Sequence, residues 1–210
     1  MKRIGIPLAF LLTSIVLQAQ KYPEPEFANE IYYFKKDSNM LKRLEKGSSK
    51  MDTKVKMAGF GGSESGYELD GEKSTVRLNS GSNLSFVFYT GSSTNSGAKM
   101  DSMMRANGVD PELMRGRSEP SNVVTLYKAD PGKDKRKIYL MKSGGANPFS
   151  SHKNQSSDKY TFSVKKISDG YWELMIDKTL PRGEYIFTMT NMSMANMDGS
   201  MLLFAFAIDP

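Results

Sequence analysis

The chain holds fifteen methionines and a single histidine, and these are the residues with the least ordinary chemistry. Met189, Met192, Met194, Met197 and Met201 crowd the last long loop, and Met100, Met103, Met104 and Met114 crowd a segment in the middle. Thioethers are soft ligands that suit Cu(I), and they serve in an oxidising compartment where thiols would be lost. Met189, Met192, Met194 and Met197 are therefore the candidate ligands of a periplasmic Cu(I)-binding protein. Methionine is also an adaptable filler of loops and contact surfaces, and no second histidine lies nearby in sequence to complete a mixed site. Packing is the expected role of these side chains. No metal or cofactor is expected.

Nucleophilic chemistry has little to build on. His152 is the one side chain able to serve as the base of a Ser-His-Asp triad, and it sits in the polar stretch Phe149-Ser150-Ser151-His152-Lys153-Asn154-Gln155. No Gly-x-Ser-x-Gly elbow supplies a nucleophile. Ser150-x-x-Lys153 and Ser156-x-x-Lys159 have the spacing used by penicillin-recognising enzymes. That chemistry needs the serine at a helix start and two further motifs, which are missing. Glu64, Glu68, Asp70 and Glu72 offer too few alternating oxygens for a calcium loop. One short hairpin does not oppose two carboxylates as a glycosidase requires. A hydrolase stays as an alternative without assigned catalytic residues, and a non-catalytic protein is expected.

The N-terminus states an address. Lys2 and Arg3 precede an uncharged apolar run from Ile4 to Leu17, followed by Gln18-Ala19-Gln20. This is the layout of a secretory signal peptide over residues 1–19, cleaved near Ala19. The run is too short to span a bilayer comfortably, and no later segment is long and apolar enough to do so. The expected product is soluble and exported, either periplasmic or at the outer surface. There is no cysteine, which excludes disulfides, thiol nucleophiles, Cys-ligated zinc and a lipid anchor at the cleavage point. The formal net charge is +6, two units of it from Lys2 and Arg3. So mild a balance, without a recognition motif, gives no reason to expect a nucleic acid partner.

The elements that would position a site read as strands. Apolar residues alternate with period two from Glu30 onward, broken by turn residues. Residues 20–62 form an N-terminal extended segment with one or two strands, Ile31–Phe34 and Lys54–Met57, ending in a Gly-rich joint at 59–62. Residues 63–210 form the main domain. Asp70-Gly71 predicts a type I′ hairpin between Tyr67-Glu68-Leu69 and Val76-Arg77-Leu78. Leu84, Phe86 and Phe88 share one strand face. Residues 91–120 break the pattern as a partly helical insertion, with Asp110-Pro111 as a helix start. Three hairpin-like pairs follow: 123–128 with 137–142, 160–167 with 171–176, and 183–189 with 202–208. In the last strand Leu202, Phe204, Phe206 and Ile208 face one way. Leu203, Ala205 and Ala207 face the other, where small side chains let a further layer approach. The spacing predicts an all-β antiparallel sandwich, immunoglobulin-like or of a related Greek-key type.

Three stretches carry a family likeness: Tyr67-Glu68-Leu69-Asp70-Gly71-Glu72-Lys73-Ser74, Pro181-Arg182-Gly183-Glu184-Tyr185-Ile186-Phe187, and Phe204-Ala205-Phe206-Ala207-Ile208-Asp209. With the Leu126-Tyr127-Lys128 strand, the chain resembles uncharacterised exported β-sandwich proteins frequent in Bacteroidetes. The resemblance covers about residues 67–210 without the insertion. Arg182 departs from it, standing where such motifs often carry a second proline or another turn former. It implies a sandwich fold and an envelope or secreted location, and no reaction. The expectation is an envelope-associated binding or accessory module whose partner is an envelope protein or a glycan. Loops 91–120 and 190–200 are the expected contact surfaces, and Tyr32, Tyr89 and Tyr127 are candidate exposed aromatics.

Overall fold

A computed structural model describes residues 22–56, 62–81, 83–91, 102–111, 119–144, 155–189 and 199–210. The signal-peptide stretch, most of the Gly-rich joint, His152, Ser150, Lys153 and the methionines at 100, 114, 192, 194 and 197 lie outside them.

The fold is an all-β sandwich of two sheets. Its strands are β1 (Glu30–Lys35), β2 (Met40–Arg43), β3 (Glu45–Ser49), β4 (Asp52–Val55), β5 (Ser63–Asp70), β6 (Arg77–Asn79) and β7 (Ser85–Tyr89), followed by β8 (Val124–Pro131), β9 (Lys135–Ser143), β10 (Lys159–Tyr160), β11 (Phe162–Ser168), β12 (Tyr171–Ile176), β13 (Gly183–Met189) and β14 (Met201–Asp209). The smaller sheet runs β11-β12-β7-β1-β2 and the larger β3-β14-β13-β8-β9-β5-β4. Pairing is antiparallel except where β6 lies parallel to the end of β14. Residues 102–106, inside the expected insertion, are helical, as are Pro120–Val123 just before β8.

The larger sheet curls, and this creates two cores on its two faces. One face of β8, β13 and β14 packs Leu126, Tyr185, Phe187, Phe204 and Phe206 against Ile31, Phe86, Phe88 and Leu174 of the smaller sheet. The opposite, concave face encloses Tyr67, Leu69, Tyr127, Ala129, Ile138, Ile186, Leu203 and Ala205. Strands β13 and β14 are thus buried on both sides, which is why they are apolar at successive positions rather than alternate ones. Ala205 and Ala207 take the close-packed positions expected of them. The curl brings β3 back to β5. Gly47 faces Leu69, whose Cδ1 stands 2.2 Å from where a Cβ on Gly47 would be, and the Ser49 hydroxyl accepts the Glu68 N–H at 3.1 Å.

Residues 40–55 hold this arrangement as one ribbon. β2 pairs with β1 in the smaller sheet, β3 with β14 in the larger, and β4 with β5. Buried Leu44 marks the crossing between sheets, where its N–H reaches the Ile31 carbonyl. The N-terminal segment therefore contributes four strands rather than one or two, and it is built into both sheets. Ahead of it, Tyr22–Asn29 straps the outer face of the smaller sheet. Tyr22 lies against Phe34 and Tyr171, and the Tyr171 hydroxyl donates to the Pro23 carbonyl at 2.5 Å.

Two expected hairpins form, β11–β12 and β13–β14. Two others do not form as expected. Gly71 does adopt a left-handed conformation, φ 86°, yet β5 and β6 do not pair. Arg136 holds the Asp70 and Gly71 carbonyls, and the chain then crosses to the other core, where Val76 and Leu78 are buried. β8 and β9 pair only beside their turn, at Asp130 and Pro131. Beyond it they splay, because β8 follows β13 while β9 follows β5. Residues 155–160 fill the gap, bonding Lys142 and Tyr139 of β9 and then Leu126–Lys128 of β8. Of the aromatics expected outside, Tyr32 and Tyr127 are buried and Tyr89 is half-buried. Tyr127 and Tyr89 pack in cores, and the Tyr32 hydroxyl bonds the Phe27 backbone, placements that the period-two pattern alone does not separate from solvent.

Three buried or part-buried carboxylates are held by cations or hydroxyls. Glu30 takes a two-point bond from Arg43, at 2.5 and 2.6 Å, and Lys46 at 2.9 Å. Glu173, 2% exposed, accepts from Lys36, Ser85 and Tyr22, each at 2.7 Å. Arg136, fully buried, makes a two-point pair with Glu45. Burial alone would raise the pKa of Glu30, Glu45 and Glu173, but these donors outweigh it and hold all three below the ordinary glutamate value. Such groups stabilise the fold above their unfolded pKa, about 4.5, and the contribution is lost as pH falls through the lower folded values. Urea midpoints should hold level from pH 7 to about 5 with respect to these groups and then drop. Glu173→Gln should lose about 1–3 kcal/mol at pH 7 and show a shallower acid limb than the parent. An equally steep acid limb in that variant contradicts this assignment.

Candidate functional site

Among the described residues, a chemically furnished surface lies on the outer face of β4, β5 and β9. Alternation puts Tyr67 and Leu69 of β5 inward, so Glu64, Gly66 and Glu68 point out. Asp52 and Lys54 of β4 stand beside Gly66 and Glu64, and Lys137 and Lys135 of β9 stand beside Glu68 and Asp70. Between Ser65 and Gly66 the register with β9 slips by one residue. This is a bulge, and it re-aims the strand locally.

Glycine is required at its centre. A Cβ on Gly66 would lie 1.8 Å from the Ile138 carbonyl oxygen, which is backbone and cannot step aside. Lacking a side chain there, the face has a shallow, open depression. Asp52, Lys54, Glu64, Glu68, Lys137 and Tyr139 are among the residues that line it. One bulge thus supplies both the backbone fit and the hollow.

Electrostatics fix the charge state of the rim. Glu68 accepts from Lys54 at 2.7 Å, Lys135 at 2.8 Å and Lys137 at 2.9 Å. Lys135, Lys54 and Lys137 together hold its carboxyl far below the usual range. Glu68 in turn raises the Lys54 ammonium, helped by Asp52 at 2.9 Å, and raises that of Lys135. Lys56 bonds Glu64 at 3.1 Å, and the Lys142 ammonium sits 4.7 Å from the Tyr139 ring centre. A carboxylate held so firmly ionised does not donate a proton near neutral pH. The face instead offers fixed acceptors, fixed ammonium donors and an aromatic ring on rigid strands, which is equipment for binding.

Of the residues singled out by sequence, Met192, Met194, Met197, His152, Ser150 and Lys153 lie outside the described residues, and among the described ones Glu64 and Glu68 join this face. Met189 is 4% exposed and belongs to the core between the sheets, where it pairs with Val124 and Leu202. Ser156 and Lys159 are exposed on the extended gap-filling segment rather than at a helix start, so the spacing is unconnected with serine chemistry. Of the acidic group, the structure brings Glu64 and Glu68 together, while Asp70 and Glu72 are exposed at the end of β5. Sequence reading missed Lys54, Gly66, Lys137 and Tyr139. Its available signal was opposite charge at same-face positions of the two strands, Glu64 and Glu68 on β5 with Lys135 and Lys137 on β9, which suits facing strands.

Among the described residues no group of three His, Asp or Glu side chains is placed to hold a metal, and no helix is long and apolar enough to cross a membrane. Comparison with protein-family models, with curated proteins and with solved structures finds no match.

Gly66→Ala should cost about 3 kcal/mol or more through the clash with the Ile138 carbonyl, read as a lowered urea midpoint. Tyr139→Ala, on the open side of the same hollow, should cost about 1 kcal/mol or less. Equal midpoints for the two variants would remove the bulge from this account.

Proposed function

We propose that the chain is an exported, non-catalytic β-sandwich module that acts at the cell envelope and contacts an envelope protein or glycan through the outer face of β4, β5 and β9. The observation carrying this reading is the hollow over Gly66. It combines Tyr139 with ionised carboxylates and ammonium groups on a rigid strand face. A sugar ring presents apolar C–H groups to an aromatic face and hydroxyls to such a rim, and a polar protein loop presents equivalent groups. The ionised, fully engaged state of Glu30, Glu45, Glu68 and Glu173 supports binding over acid–base chemistry. Residues 1–19 supply the export signal in this reading, and the likeness to exported Bacteroidetes proteins points the same way.

Binding of the purified chain to isolated envelope fractions tests the proposal, with one arm on protein-stripped polysaccharide and one on solubilised envelope protein. Saturable binding in one arm that falls about tenfold in Tyr139→Ala with Lys137→Glu is the expected result. Binding that is unchanged in that variant rejects the face. Expressed with its own N-terminus, the protein should be recovered outside the cytoplasm, starting at Gln20; a cytoplasmic product starting at Met1 rejects export.

A further inference from the structure

We infer that Met40, Met51, Met103 and Met141 are a set of surface oxidation sites, which take up oxygen from electrophilic two-electron oxidants of the hypohalous-acid class while the fold stays intact. The inference is independent of the binding face proposed above. Leucine, isoleucine and methionine share a strong drive toward burial, and leucine and methionine replace one another in cores at small cost. This fold nevertheless sorts them apart. Among the described residues no leucine or isoleucine is exposed. Of the described methionines, Met40, Met51, Met103 and Met141 are 62, 54, 59 and 48% exposed, and Met189 alone is buried. Packing accounts for Met189 and leaves the other four unexplained.

Sulfur is what separates methionine from leucine. The chain has no cysteine, so no thiolate competes for an oxidant, and thioethers are the softest nucleophiles it carries. Two other uses of exposed thioethers need them gathered. A copper site holds several on one ion, and a contact surface collects them in one patch. These four sit on separate elements. Met40 opens β2 at the edge of the smaller sheet, and Met51 precedes β4 at the edge of the larger. Met141 lies on β9 and Met103 in the helical residues 102–106. Thioethers that react one at a time need no such gathering.

The chemistry is a two-electron oxygen transfer. With hypochlorous acid the O–Cl bond breaks and an S–O bond forms. Sulfur loses two electrons, chlorine gains them and leaves as chloride, and a proton goes to water. The product is the sulfoxide, which methionine sulfoxide reductases return to the thioether, a thiol pair becoming a disulfide with release of water. A sulfoxide oxygen at a solvated position is met by water, so the change costs the fold little. On Met189, inside the core between the sheets, the same oxygen would be buried without a donor. Exposure therefore decides both which thioethers react first and which of them the fold can lose.

Peptide mapping of the purified chain after graded hypochlorous acid, with a urea midpoint at each dose, tests this. Sulfoxide should form at Met40, Met51, Met103 and Met141 about tenfold or more faster than at Met189. The midpoint should hold until Met189 reacts. The two reductase classes, one for each sulfoxide epimer, should restore all four in the folded chain. A variant combining Met40→Leu, Met51→Leu, Met103→Leu and Met141→Leu leaves the core as it is. Its Met189 should oxidise at a dose lower by about four equivalents, one for each thioether removed. Oxidation of Met189 alongside the four, a midpoint that falls while Met189 is intact, or the same threshold dose in parent and variant each overturns the inference.

Discussion

One buried guanidinium closes the larger sheet. Arg136 rises from β9 into the end of the concave core, fully out of solvent. It bonds Glu45 of β3 at two points, and the Asp70 and Gly71 carbonyls where β5 ends. It also approaches Glu184 of β13 at 3.8 Å. β3 and β5 share no backbone ladder, so their meeting depends on side chains. A buried charge is tolerated only when its donors are matched, and Arg136 is matched by groups from both sides of that seam. Its geometric demand therefore fixes the curl, and the curl creates the concave core.

The curl determines the remaining layers. Once β9, β5 and β4 bend away from the smaller sheet, their outer face is left to water, while β8, β13 and β14 stay covered on both sides. The same turn of the sheet separates an apolar centre from a charged flank. Gly66, beside the bulge, marks the place on that flank where the strand carries no side chain. The ribbon from β2 through β4 carries the constraint across the molecule, since one run of backbone belongs in turn to the smaller sheet, to β14 and to β5.

Much of this was legible in the sequence where a local rule governed it. Phe86 and Phe88, Leu174 and Ile176, and Phe204 and Phe206 were assignable to one core by alternation, and all six lie there. Ala205 and Ala207 announced a close second layer by their size. Asp169-Gly170 turned its hairpin as expected. The failures fall where a distant partner overrides the local signal. Asp70-Gly71 has hairpin chemistry, but Arg136 captures its carbonyls, and no spacing rule links residue 71 to residue 136. β8 and β9 look like one hairpin, yet the curl splits them. Glu173 gave no sign of burial, because its partners Tyr22, Lys36 and Ser85 arrive from three separate segments. The hollow was invisible for the same reason: four of the charged residues that line it lie on β4 and β5 and Lys137 comes from β9.

The methionines illustrate the converse. Their crowding near the chain's end was the loudest compositional signal, yet Met189 is spent on packing, as adaptable apolar side chains commonly are. The side chains that hold the fold and furnish its face are ordinary lysines, glutamates and one arginine, distinguished by placement rather than type. Hydrogen exchange by residue in Arg136→Gln, under native conditions, tests that placement most directly. The account predicts that the Glu68 amide and the β3 amides lose protection together while the β11–β12 hairpin keeps its own. Unaltered protection at Glu68 and β3, or one uniform loss across both sheets, would contradict it.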